Sequence, residues 1–514
     1  MNNYEPPIFE YSASGKRGAN LPAVDVPETP LPAELLRTDD LASMPELSET
    51  EVVRHFTRIS QRNFCIDTGM YPLGSCTMKY NPKVHEEAAR LPGFAFVHPL
   101  QDERHSQGAL QLMFELQEML GEIAGLDAVS LQPAAGAHGE FTGILVFRAY
   151  HHDRGDDDRL EILCPDSAHG TNPATAAMVG MKVVEVKTDP RGNVDLDDLR
   201  AKLGPRTAGL MLTNPNTLGL FDEHVQEVAR LVHEAGGLMY GDGANFNAIL
   251  GIVRPGDVGF DFMHYNLHKT FTTPHGGGGP GSGPVGCKAF LAPYLPGPCV
   301  GKRADDGQAP TAPGSTYYFF TPEKSIGRVK AFHGNFGMFV RAYAYIRTLG
   351  VGGLREVSEN AVLNANYLRV RLQNTYPVAY DRTCMHEVVL KGQLREAPEA
   401  RTLDIAKRLI DYGFHPPTVY FPISVPEAIM IEPTETETKR NLDAFVDAME
   451  EIAREASRDL QILKNAPTTA PVRRLDEVAA ARRPILKYDA ARFRELRRVA
   501  EHATAEDQLE VPSY

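Results

Sequence analysis

Lys269 lies in the segment Asn266–Gly286, NLHKTFTTPHGGGGPGSGPVG, just after an apolar, strand-like run and before a stretch with seven glycines. A lysine at a strand end has a rigid support, and glycines beside it let backbone and a flat ligand approach closely. Its amine can attack a carbonyl and form a Schiff base if a buried site keeps it partly neutral. A lysine beside a flexible loop is more often an ordinary surface residue. The weight therefore falls on its surroundings.

Three further groups supply them. In Tyr240-Gly241-Asp242-Gly243-Ala244-Asn245, a carboxylate stands at the C-terminal end of a predicted strand, where open α/β sheets bind ligands. Such a carboxylate can keep a heterocyclic nitrogen protonated and turn the ring into an electron sink. An aspartate between glycines also suits a plain turn. In CPDSAHGTNP, Cys164–Pro173, His169 can stack its imidazole on a flat ring, although Ser, Thr and Asn equally suit helix capping. In QPAAGAHGE, Gln132–Glu140, small residues open a helix predicted over 139–150. Ala135, Gly136 and Ala137 can there offer N–H groups to a phosphate; tight loop packing explains the same residues.

These groups need a scaffold. Helical spacing of Leu110, Met113, Leu116, Leu120 and Ile123 predicts an amphipathic helix from about Gln107. Short apolar runs at Leu160–Cys164, Lys182–Val186, Ala208–Thr213, Leu238–Gly241 and Phe260–Tyr265 alternate with helical stretches, the pattern of a mostly parallel, open α/β sheet. A long helix is expected from near Ser325 to Gly350, and another over 355–375. The expected domains are an arm and loop segment (1–100), a large sheet domain (101–350), a smaller α+β domain (351–460) and a charged tail (461–514). Within the first, YPLGSCTMKYNP, Tyr71–Pro82, reads as an ordered loop.

Several chemistries are excluded. Gly281–Gly286 satisfies GxGxxG but contains Pro284 and opens no helix, so a dinucleotide site is a poor reading. No GxxxxGK[ST] and no GxSxG occurs. His151-His152-Asp153 with Asp156–Asp158 reads as an acidic, solvated loop. The six cysteines form no close pair, which argues against zinc and a disulfide framework and for a reducing cytoplasm. A net charge of −14 disfavours nucleic acid. No apolar run reaches membrane-spanning length, and nothing at the N-terminus marks the chain for secretion.

Taken together, YPLGSCTMKYNP, QPAAGAHGE, SAHGTNPATA, TNPNTLGLF, YGDGANFNA, the lysine segment and TAPVRRLDEVAAARRP resemble the fold-type I pyridoxal-phosphate enzymes. Among these they are most similar to the glycine dehydrogenase (decarboxylating) family, and to its lysine-bearing second subunit. The resemblance implies a large, mostly parallel sheet domain with a smaller α+β domain, and pyridoxal 5'-phosphate as cofactor. It implies that glycine loses CO2 and that the aminomethyl group passes to the lipoyl-lysine of H-protein. A homologous first subunit would complete an α2β2 assembly. Residue by residue, Lys269 matches the Schiff-base lysine, Asp242 the ring-nitrogen partner and His169 the stacking residue. Ala135, Gly136 and Ala137 match the phosphate loop. Asn216 matches a contact to the ring 3-oxygen, and Thr321 with Tyr71–Tyr80 an approach from an adjoining segment or subunit. His138, His264, His268 and His275 are candidates for moving protons. The rival readings are another fold-type I enzyme, a non-catalytic scaffold subunit, and a nucleotide-binding module.

Overall fold

The computed structural model describes residues 5–36, 44–275, 281–303 and 316–495. The chain falls into two units, Met1–Thr68 with Pro467–Tyr514, and Gly69–Ala466.

In the smaller unit the helix Glu49–Ser60 starts at a capping box between Ser48 and Glu51. Glu5 takes two hydrogen bonds from the Arg58 guanidinium, at 2.6 and 2.7 Å. The N-terminal arm meets the C-terminal tail where Phe9 stacks on Tyr488, with ring centroids 4.4 Å apart. In the charged tail a helix forms at Glu477–Arg482.

The larger unit is organised by a seven-stranded sheet. Its strands are β1 (Ala128–Ser130), β2 (Glu161–Pro165), β3 (Lys182–Val186), β4 (Thr207–Thr213), β5 (Leu238–Gly243), β6 (Phe262–Tyr265) and β7 (Val285–Cys287), in the order β1-β7-β6-β5-β4-β2-β3. The pairs from β3 to β6 are parallel, while β7 is antiparallel to β6 and β1. The fold class is therefore the expected mostly parallel α/β sheet, with one strand reversed. Strands β2, β4 and β5 are buried at every residue, because both faces are covered. Ala208, Met211, Leu238 and Tyr240 pack under the helix Gly136–Asp153. Leu210, Leu212 and Met239 pack under the helix Val225–Glu234. This two-sided burial is why their sequences read as continuous apolar runs.

Two expectations shift. The helix expected from Ser325 begins at Phe336, and it runs on to Leu372 through a break at Gly350, where φ is 61° and ψ −173°. Only glycine takes that conformation at little cost, so the two predicted helices meet end to end there. β1 and β7, three residues each, are too short to show a period in the sequence.

A second, antiparallel sheet comprises β10 (Val388–Lys391), β11 (Thr418–Val419) and β12 (Ala428–Ile431), in the order β10-β12-β11. It packs with the helices Thr402–Asp411 and Lys439–Arg458 around Leu390, Ile405, Leu409, Ile431, Phe445 and Met449. The remaining strands β8 (Cys299–Lys302) and β9 (Tyr317–Phe320) form a ribbon. No helix among the described residues is long and apolar enough to cross a membrane.

The segment Tyr71–Pro82 ties the small sheet to the turn that follows β6. Near its start Leu73 bridges to Ile431 of β12, and the Gly74 carbonyl accepts from Thr418 of β11 at 2.7 Å. Near its end the Lys79 amine, itself fully buried, donates to the Thr270 carbonyl (2.7 Å), the Tyr345 hydroxyl (3.0 Å) and Glu435 (2.7 Å). Removing one partner of a buried ion pair strands the other in low dielectric, at about 3–5 kcal/mol. Lys79→Ala is therefore expected to lower the free energy of urea unfolding by that amount. A loss below about 1 kcal/mol would mean the clamp is not formed in solution.

Candidate active site

The C-terminal ends of β1, β2, β4, β5 and β6 share one edge of the large sheet, and the candidate residues gather on it. Lys269 follows β6 in a tight turn, its own N–H donating to the Asn266 carbonyl at 3.0 Å. Its side-chain amine donates to the Ser75 carbonyl at 2.8 Å. Asp242 sits inside the last turn of β5, opposite Thr213 of β4 and His264 of β6. It is a strand residue at the strand end that the sequence predicts, not part of the plain turn that the flanking glycines equally suit.

Asp242 is buried, and its carboxylate is well provided for. Asn172 donates to Oδ2 at 3.0 Å, the Ala244 N–H donates to Oδ1 at 2.9 Å, and His264 Nε2 lies 3.3 Å from Oδ1. Burial works against its charge, but His264, Asn172, the Ala244 N–H and Lys269 outweigh burial and hold the carboxyl below the ordinary aspartate range. A carboxylate kept ionised in a dry site is suited to holding a proton on a basic ring nitrogen.

Glu140, which sequence reasoning passed over, is the second carboxyl here. It projects from the helix Gly136–Asp153 and is buried. The Asn172 amide bridges it to Asp242, donating to Glu140 Oε2 at 2.8 Å. Burial, followed by the charge of Asp242, pushes the Glu140 carboxyl up to about 7. The Thr171 hydroxyl lies 2.9 Å from Glu140 Oε1 and 2.8 Å from His169 Nδ1, which also accepts the Thr171 N–H at 3.2 Å. The Thr171 hydroxyl donates to Glu140 while the Thr171 N–H donates to His169, so Thr171 ties the two together. His169 is half-buried, and burial lowers its pKa, so a neutral ring with Nδ1 engaged is what it presents.

A titration test follows. The folded Glu140 carboxyl holds its proton up to about 7, whereas the ordinary glutamate value is 4.5. Its contribution to stability is complete below 4.5 and is lost as the pH rises through 7. Wild type should therefore lose on the order of 3 kcal/mol relative to Glu140→Gln between these limits. Urea unfolding of both chains at the two pH values measures it; parallel pH dependences would show that Glu140 is ionised throughout.

Ala135 is the extended residue before the helix Gly136–Asp153, and no side chain caps that helix. Its first-turn N–H groups, Gly136 and Ala137 among them, are therefore open to an anion. The approach is close: a Cβ on Gly136 would stand 2.3 Å from Asn266 Oδ1, and one on Gly283 2.0 Å from the Ala135 carbonyl. The hydroxyls of Thr213, opposite Asp242, and Thr270, next to Lys269, are buried with no hydrogen-bond partner among the described residues. An uncapped helix end, a cradle that any side chain would fill and spare polar atoms together fit a flat, phosphorylated heterocycle.

Other expected residues are used differently. Asn216 spends its amide in its own loop, donating to the Gly192 carbonyl at 2.7 Å and accepting from the Leu218 and Leu220 N–H groups at 3.0 and 3.2 Å. One N–H of its amide is left over after those bonds. Thr321 is exposed just after β9, its side chain against Gly297. Burial lowers the pKa of His138, His264, His268 and His275, His268 to about 3; they are neutral rings, each with one N–H donor and one acceptor nitrogen, rather than stores of acid. Of the glycine stretch, residues 276–280 lie outside those described.

Comparison with known proteins then narrows the reading. Residues 357–471 match the family model "Glycine dehydrogenase, C-terminal domain", and residues 145–278 the model "Aminotransferase class-V". A protein of Caldanaerobacter subterraneus subsp. tengcongensis described as "probable glycine dehydrogenase (decarboxylating) subunit 2" is 56% identical over 494 residues, covering 95% of this chain and 99% of its own length. One from Exiguobacterium sibiricum with the same description is 59% identical over 485 residues, covering 94% and 96%. Among solved structures, an inhibitor-bound glycine decarboxylase (P-protein) of the glycine cleavage system aligns with a TM-score of 0.69 at 23% identity, over 82% of this chain and 93% of that one. A sphingosine-1-phosphate lyase of Burkholderia pseudomallei K96243 aligns at 0.59 and 14%, over 86% and 94%. At these identities the two structures speak for the fold alone.

Proposed function

Because this chain belongs to the glycine dehydrogenase (decarboxylating) subunit 2 family, we propose that it is the subunit in which glycine is decarboxylated, with pyridoxal 5'-phosphate held on Lys269. The observation that carries this is the convergence of Lys269, the ionised Asp242 and the uncapped helix at Gly136 on one sheet edge.

When bound, the cofactor supplies a carbonyl carbon for a Schiff base and a ring that spreads the negative charge left by departing CO2. The chain's own residues do the rest. Lys269 would hold the carbonyl carbon through its amine. Asp242 would hold a proton at the ring nitrogen. His169 would offer a flat neutral face to the ring. The N–H groups of Gly136 and Ala137 would bind the phosphate. Loss of CO2 requires the carbon–carboxylate bond to stand across the ring plane, so orienting glycine decides which bond breaks. Tyr71–Pro82 lies against Lys269 through the Ser75 carbonyl and would exclude water from the site.

The designation "subunit 2" in its relatives points to a partner subunit. In our reading that partner is a homologous first subunit in an α2β2 enzyme, and lipoylated H-protein receives the aminomethyl group on its lipoyl-lysine. All six cysteines are free, which suits a reducing cytoplasm. The test is a reconstitution with pyridoxal 5'-phosphate, a first subunit, lipoylated H-protein and labelled bicarbonate. Exchange of label into glycine should need every component. No exchange from the complete mixture, with the subunits shown to associate, would sink the reading.

A further inference from the structure

The second sheet places two carboxyls side by side. In β10 and β12, Val388 pairs with Ile431, so Glu387 and Glu432 stand where the next cross-strand pair would be. Like charges in such a pair oppose each other, and here both are buried, at 0% and 1% exposure. Each has one oxygen engaged: the Ser75 N–H donates to Glu387 Oε2 at 2.8 Å, and the Thr77 hydroxyl donates to Glu432 Oε1 at 2.5 Å. The other two oxygens, Glu387 Oε1 and Glu432 Oε2, have no hydrogen-bond partner among the described residues, and neither does either ring nitrogen of His386. One donor atom from each of the three residues lies within 4.8 Å of the others. The Ser75 peptide joins this cluster to Lys269, since its N–H serves Glu387 and its carbonyl receives the lysine amine.

We propose that Glu387 and Glu432 share one proton and act as the proton store for Lys269, taking the proton that the glycine ammonium must shed before its nitrogen can replace the lysine. The proposal rests on Lys269 being the Schiff-base lysine. In that exchange a bond forms between the glycine nitrogen and the carbon held by Lys269 Nζ. The bond from Nζ to that carbon breaks, and Lys269 leaves as a neutral amine. The one surplus proton passes to the pair, which goes from one bound proton to two, and no oxidant or reductant is required.

The surroundings favour this over two separate charges. Two carboxylates that close in a dry site cannot both ionise. Burial pushes the Glu432 carboxyl up to about 7, and burial with the charge of Glu432 pushes Glu387 up further. Other titratable groups face the pair. Lys269 stabilises the ionised form of both carboxyls, whereas Glu435, held by Lys79, disfavours that of Glu432. The Cys76 thiol is driven up by burial, and burial with Lys269 drives His386 down to about 3, so both are neutral. A pair with one proton carries a single negative charge to set against the lysine.

Infrared difference spectra of the unloaded chain at neutral pH test the pair without reference to the cofactor. Glu387→Gln and Glu432→Gln should each remove one protonated-carboxyl band and leave the carboxylate bands unchanged, because the remaining glutamate ionises. Loss of a carboxylate band instead, from either variant, would overturn the shared proton. The second arm uses the loaded enzyme, after borohydride labelling has located the cofactor on Lys269; a label elsewhere would overturn the Lys269 reading and leave the infrared result standing. Glycine should displace Lys269 about tenfold or more slowly in the double glutamine variant at neutral pH, followed as the change in cofactor absorbance. The deficit should close as the pH rises and glycine arrives already deprotonated. An unchanged rate, or a deficit constant with pH, would overturn the role.

Discussion

Lys269→Ala is expected to abolish glycine-dependent release of CO2, by at least about a thousandfold, the range in which loss of an activated catalytic group falls. The expectation comes from where the amine stands. It is fixed on the turn after β6, against the Ser75 carbonyl at 2.8 Å, and its charge acts on Asp242, Glu140, His169, Glu387 and Glu432 together. Cutting it back removes the tether for the carbonyl carbon without opening the sheet, because the neighbouring Thr270 carbonyl stays clamped by Lys79. The variant should therefore unfold as a single cooperative transition near that of wild type, yet show no absorbance from a borohydride-reducible adduct. Retained exchange of labelled bicarbonate into glycine would end the assignment.

Asp242→Ala should slow decarboxylation at least about a hundredfold, by removing the ionised group that keeps the ring nitrogen charged. The alanine also leaves the Asn172 amide and the Ala244 N–H without their acceptor. Asp242→Asn separates the two effects, since it keeps the shape and one acceptor oxygen while losing the charge. If charge is what matters, the asparagine variant should be nearly as slow as alanine although its stability is closer to wild type. Single-turnover release of labelled CO2 measures both, and an asparagine variant at wild-type speed would assign Asp242 a packing role only.

The legible parts of this molecule were those with strong local signals. Strands buried on both faces announce themselves as apolar runs, so β2, β4 and β5 appear in the sequence close to where they lie. Leu110, Met113, Leu116 and Leu120 fall on the buried side of their helix, as their spacing requires. Lys269 and Asp242 were legible because glycines and a strand end flanked each of them. The remainder depended on distant pairings. Glu140 looks like any helical glutamate until the fold sets it against Asn172 and Asp242. Glu387 and Glu432 have β10, a helix, β11 and β12 between them in the chain, and only the register of β10 against β12 makes them neighbours. The Asn216 oxygen closes its own loop and its NH2 reaches the Gly192 carbonyl, pairings that no local pattern shows. Gly350 was read as a helix end, which it is for two helices at once.

The stretch from Tyr71 to Pro82 touches β11 and β12 at its beginning and the peptide next to Lys269 at its end. Ser75, in between, has a φ of 64°, a conformation few residues other than glycine adopt readily. A short tie anchored at both ends makes the small sheet and the reactive amine mechanically one body. A hinge that swung the β10–β12 sheet outward would pull the Ser75 carbonyl off the amine before it admitted anything.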